Sequence, residues 1–134
     1  MYFYTLRHEF PNCSCKLIPN GYFTVSTHIQ VSPQSEDHLV QFKCAKRSIS
    51  VYVFGLGLSH DNLQKIPHIF TSDSNILEDK ASICLYYNRG EKKEFVFGNP
   101  LNKTIIPWTQ EWLYFYDLYK ITGHWYGGGK SHEN

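Results

Sequence analysis

Hydrophobic and polar residues alternate through the first half of the chain. In YFTVSTHIQV, Phe23, Val25, Ile29 and Val31 share one side, with Ser26, His28 and Gln30 opposite. A period of two is that of a half-buried strand. Val40, Phe42 and Cys44 repeat the pattern against Gln41 and Lys43, and Ile49, Val51 and Val53 do so in SISVYVFG. Upstream, CKLIP runs into Asn20-Gly21, a pair that tolerates positive φ and marks a hairpin. SPQSED and AKR read as further turns. Four short strands in series predict an antiparallel meander. The N-terminal MYFYTLRHEF reads as strand or coil.

After Gly57 the alternation stops. Leu58 to Ala81 carry polar groups, Pro67 and no clear period. A loop of that length inside a compact domain is usually functional or a sign that its elements are wrongly assigned. The short apolar run SICLYY (Ser82 to Tyr87) closes it, and a second irregular stretch spans Asn88 to Lys103. The period then changes. Trp108, Trp112, Tyr116 and Tyr119 recur at helical spacing with Phe115 beside them. They predict a helix whose aromatic face covers the sheet. Pro107 suits the first helical position and Gly123 a left-handed stop. Glu111 in the first turns and Lys120 in the last suit the helix dipole. Gly127-Gly128-Gly129 opens a mobile tail over about residues 127–134, and a solvated tail is the expectation for His124 and His132. No strand precedes the glycines and no Gly-Lys-Ser/Thr pattern follows, so they are not a phosphate loop. The order of elements predicts one α+β domain over residues 1–134, a sheet with a helix on one face.

Composition narrows the function classes. The chain has 134 residues, 42% hydrophobic and 19% charged, enough for a core without staples. A net charge of +1 gives no broad basic footprint for nucleic acid. Lys43, Lys46 and Arg47 form a small cluster best read as a solvated turn. The N-terminus has no basic start followed by an apolar run, and no stretch is long enough to span a membrane. A cytoplasmic protein with reduced thiols is expected, with no cofactor and no metal. Cys13 and Cys15 form a C-x-C pair near His8, which leaves open a small metal-binding protein. A zinc site would need a second ligand pair at suitable spacing, and none is evident.

Cys84 poses the sharpest question. Judged by residue type alone, a cysteine between Ile83 and Leu85 is buried packing more often than a nucleophile. The surrounding motifs change that weighting. A meander, then IPHIF (Ile66 to Phe70), ICLYY (Ile83 to Tyr87) and a helix beginning IIPWTQEWLYFYDLY resembles the ubiquitin-conjugating enzymes. Closer still, PHIF, ICLYY and KTIIPWTQEWLYFYDLYKITGHWYGGGKSH resemble the small stand-alone conjugating-enzyme-like proteins of short type II CBASS operons. These are bacterial antiphage systems built around a cGAS-like nucleotidyltransferase. The specific part of the resemblance covers Lys65 to His132.

The resemblance implies a UBC-like fold and makes Cys84 the thioester-forming residue. That cysteine would take the C-terminal tail of the nucleotidyltransferase as an acyl group and pass it to an amine on a protein target. A carboxylate needs prior activation, so a separate activating enzyme is a further implied partner. The chain departs from the wider family in three places. The His-Pro-Asn segment is replaced by Pro67-His68-Ile69, which removes the asparagine that supports the oxyanion or the loop. Asn75, Asn88, Asn102, Lys103, Thr104 and backbone N–H groups are unranked replacements. His68 is either a base or, more often for such a residue, a packed loop anchor. The long N-terminal helix is missing, and so is the tyrosine-proline turn between the later strands. A non-catalytic module on the same fold, holding the nucleotidyltransferase tail in a groove, is the alternative.

Overall fold

The alternation of the first half folds as it reads. The computed structural model describes residues 1–88 and 91–127. In it, β1 (Ser14–Ile18), β2 (Tyr22–Ile29), β3 (His38–Ala45) and β4 (Ser48–Phe54) pair antiparallel in sequence order. The registers Val25↔Phe42 and Phe42↔Val51 line up one apolar face. Val25, Val40, Phe42 and Val53 on that face are fully buried. Asn20 and Gly21 turn the first hairpin at φ 72 and 76, the left-handed backbone that an Asn-Gly pair permits. Lys46 and Arg47 turn the third hairpin at φ 52 and 57. Both side chains are exposed, and the Arg47 guanidinium lies 5.1 Å from the centre of the Phe97 ring.

The meander does not end at four strands. β5 (Lys80–Ser82) adds to β4 through Tyr52↔Ser82 and Val53↔Ala81, giving a five-stranded sheet. The segment is too short to show a period, and what makes it a strand is the open edge of β4. Beyond it, Ile69 bridges to Ile83. The N-terminus is also different from its reading as strand or coil: Tyr2–Glu9 form a helix, α1. A helix this short is unstable alone. It is held by Tyr2 and Leu6, buried at i and i+4 in the core.

The C-terminal helix α2 (Ile105–Thr122) begins two residues before Pro107, which still lies in the first turn where no intrahelical acceptor is missed. It ends as expected at Gly123, with φ 76 and a 2.8 Å hydrogen bond from its N–H to the Tyr119 carbonyl. Ile105, Thr109 and Leu113 are fully buried. Asp117 Oδ1 meets His38 Nε2 of β3 at 2.7 Å, with the histidine 4% exposed. One hydrophobic cluster runs from Tyr2 and Leu6 through the sheet to Trp112, Leu113 and Tyr116. Among the described residues no helix is long and apolar enough to cross a membrane.

Gly127, where the mobile tail is expected to open, lies against two aromatic rings. A Cβ there would lie 2.7 Å from Trp125 Nε1 and 2.8 Å from Phe115 Cδ2. Glycine is needed because the backbone lies against these two rings. Residues 128–134 fall outside the described residues.

Candidate functional site

The aperiodic stretch after β4 is held by polar side chains. The Asp79 carboxylate accepts the N–H groups of Gly57 (2.9 Å) and Leu58 (2.8 Å). Asn62 accepts Ser59 N–H at 2.8 Å and donates to the Gly57 carbonyl at 2.8 Å. Asp73 Oδ2 accepts both the Tyr52 hydroxyl (3.1 Å) and the Ser82 hydroxyl (3.0 Å). Ser74 Oγ accepts Ser82 N–H at 2.9 Å. Local side-chain bonds of this kind stand in for a ladder and leave no hydrophobic period to read.

The aromatic stripe of α2 covers this loop as well as the core. Tyr116 Oη donates to the Leu56 carbonyl (3.5 Å), Tyr119 Oη to Lys65 (3.0 Å) and Trp112 Nε1 to His68 (3.1 Å). The His68 carbonyl also receives Cys84 N–H at 2.8 Å. Ile83 N–H bonds to the Val51 carbonyl at 3.0 Å, and Phe70 N–H to Ser82 at 2.8 Å. The strand leading into Cys84 is therefore flanked on both sides. His68 adopts φ 56, the left-handed region that costs a non-glycine residue roughly 1–2 kcal/mol. The two hydrogen bonds converging on its carbonyl offset that strain. Its imidazole lies tilted against Trp125 at 5.4 Å between ring centres, and Trp125 also meets Trp112 at 5.7 Å.

Cys84 stands where the strand leaves the sheet. It is 6% exposed, and its thiol donates to the Tyr86 carbonyl at 3.5 Å. Burial pushes the thiol up to about 12; the Tyr86 backbone opposes this and the Glu94 charge adds to it. The resting sulfur is a neutral thiol, since desolvation disfavours the thiolate. Tyr86 lies against Phe95 (5.2 Å) and Trp108 (6.3 Å), forming an aromatic wall beside the cysteine.

The far side of the site belongs to the second irregular stretch. Asn88 Oδ1 accepts Glu94 N–H (2.8 Å) and Phe95 N–H (3.2 Å), while its amide donates to the Phe95 carbonyl at 2.7 Å. Glu94 is returned toward Cys84 and accepts Tyr87 N–H. Tyr2 of α1 braces the same stretch, donating its hydroxyl proton to the Asn99 carbonyl at 2.7 Å and accepting Gly98 N–H at 2.5 Å.

The structure brings Cys84 and the His68 backbone together and points the His68 ring at Trp125. Among the replacement asparagines, Asn88 is committed to its loop clamp and Asn75 to Glu78, at 2.8 Å. Thr104 Oγ1 donates to the Pro100 carbonyl at 2.8 Å. Asn102 and Lys103 are exposed. Cys13 and Cys15 bring their sulfurs to 3.6 Å, but among the described residues no group of three ligating side chains converges with metal geometry. His124 is exposed against Tyr126 at 4.5 Å, and His132 lies outside the described residues. Sequence reasoning missed Glu94, Asp73, Asp79 and Trp125. A lone acidic residue in an aperiodic loop carries no spacing signal, and only the fold reveals which backbone groups it meets.

No curated protein matches the chain. The family model of the type II CBASS E2 protein matches residues 3–133, nearly the whole chain and well beyond the motifs around Cys84. With its α+β sheet and C-terminal helix in place, the chain belongs to the type II CBASS E2 family, E2-like proteins of a CBASS system.

Proposed function

We propose that Cys84 is the acyl-carrying nucleophile of this E2, loaded with the C-terminal carboxyl group of the cGAS-like nucleotidyltransferase encoded in the same operon. One observation carries the reading. The Pro67-His68 segment, the Ile-Cys-Leu segment and the Trp112 position of α2 meet at a single atom, the His68 carbonyl, which holds Cys84 N–H at 2.8 Å and Trp112 Nε1 at 3.1 Å. Three motifs far apart in the chain thus serve to fix one cysteine.

The chemistry follows in two steps. An activating protein supplies the tail as an acyl adenylate. The Cys84 sulfur attacks its carbonyl carbon, the C–S bond forms, AMP leaves and the thiol proton passes to solvent. An amine of a protein target then attacks the thioester, giving an amide and returning the thiol. His68 acts as a positioning residue through its carbonyl. Glu94, the carboxylate whose charge Cys84 feels, receives the incoming amine as its ammonium ion and takes one proton from it, freeing the lone pair that attacks; the departing Cys84 thiolate takes the second proton as the amide forms. The Tyr86, Phe95 and Trp108 wall excludes water from the thioester.

A buried, neutral thiol is also what a packing cysteine shows, so the binding module on the same frame is the second reading. Co-expression with the operon's nucleotidyltransferase separates the two on non-reducing and reducing gels. The expected outcome is an adduct of wild type that reducing agent removes, absent in Cys84→Ala and persisting as an ester in Cys84→Ser. A tight complex with no covalent species in any variant assigns the protein to the binding module.

A further inference from the structure

The exposed sulfur of the described residues lies away from Cys84. Cys13 and Cys15 sit at the entry to β1, the edge strand of the sheet, with their Sγ atoms 3.6 Å apart. Cys15 is exposed and Cys13 half-buried. Cys44 and Cys84, by contrast, are 9% and 6% exposed in the core. Ladder pairing begins at Ser14, after Cys13, whose N–H is tied to the preceding turn through the Phe10 carbonyl at 3.0 Å. The backbone at Cys13 can therefore shift without breaking a strand pair.

We infer that Cys13 and Cys15 form a redox-active dithiol, which low-molecular-weight disulfides convert reversibly into an intrachain disulfide. The exposed Cys15 thiolate attacks such a disulfide, giving a mixed disulfide and one released thiol. The Cys13 sulfur, already in contact, then attacks Cys15 Sγ and expels the second thiol. Two protein S–H bonds are lost, one S–S bond forms, and the oxidant leaves as two thiols. Burial and the neighbouring Cys15 push the Cys13 thiol up, with Arg7 opposing. The difference in exposure suits Cys15 as the attacking sulfur and the half-buried Cys13 as the resolving one. Bridging two residues separated by only one closes a small, strained ring. Strained, exposed disulfides are the easily reduced ones, so the pair is a reversible modification site and not a staple.

The full chain is treated with glutathione disulfide, quenched with iodoacetamide, and read by intact mass and peptide mapping. The expected wild-type product has lost two hydrogen masses, carries no glutathione, maps to Cys13–Cys15 and reverts with dithiothreitol. Cys13→Ser, lacking the resolving sulfur, is expected to accumulate a stable glutathione adduct on Cys15. A persistent glutathione adduct on wild-type Cys15, a disulfide mapped to Cys44 or Cys84, or four alkylated thiols with no oxidation would each overturn the inference. None of these results depends on whether Cys84 carries an acyl group.

Discussion

Cys84 should behave as a poor nucleophile until its partner docks, and the size of the effect can be worked out. Its thiol is pushed from 9.0 up to about 12, chiefly by burial. At pH 7.5 a thiol at 9.0 is about 3% ionised, whereas one at 12 is ionised in about 3 molecules per 100,000, roughly a thousandfold less. A more basic thiolate is intrinsically more reactive, with a slope of about 0.4–0.5, which returns a factor of about 20. Cys84 should therefore react with iodoacetamide about 50-fold more slowly than an unperturbed cysteine, before any steric protection is counted. The assay is alkylation of the folded protein from about pH 7 to 10, quantified on the Cys84 peptide by mass spectrometry. The rate should climb about tenfold per pH unit without a plateau, because the thiolate fraction grows in that proportion well below the pKa. A plateau below pH 9, or a neutral-pH rate matching free cysteine, would refute the argument that burial sets the resting state.

Other expectations follow from the same contacts. Trp112→Phe removes the donor to the His68 carbonyl (3.1 Å) and should lower stability by about 1–3 kcal/mol; chemical denaturation reads the loss, and faster Cys84 alkylation would show the freed segment. Gly127→Ala drives a methyl group into Trp125 and Phe115, so its tryptophan emission should shift and its Tm fall relative to wild type. Glu94→Gln should leave thioester formation intact while slowing discharge to an added amine by about 10- to 100-fold, measured as the lifetime of the loaded enzyme. Cys84 and Tyr116, each held near 12 largely by burial, stay protonated in the fold but ionise more readily when it opens. Their stabilisation is thus complete below about pH 9 and is lost as the pH rises toward 12, so thermal melts should fall along that alkaline limb.

Much of the scaffold is legible without coordinates, because a period of two, a helical period and an Asn-Gly pair are local signals. The four strands β1–β4, the Asn20-Gly21 turn, the Gly123 stop and the aromatic face of α2 were all present in the order of residues. So were the motifs around His68 and Cys84 that carried the family. What lay beyond reach depended on partners distant in sequence. β5 is three residues long and exists because the edge of β4 needs a neighbour. α1 has no helical character strong enough to stand alone and is fixed by burying Tyr2 and Leu6. The long loop has no period because its order comes from Asp79, Asp73 and Asn62 meeting backbone groups and from three aromatic side chains of α2 reaching its carbonyls. Residue order singled out Cys84 as a candidate; tertiary structure decided that its sulfur rests as a buried neutral thiol, since desolvation arises only when the strand, the Tyr86 wall and the Glu94 loop close around it.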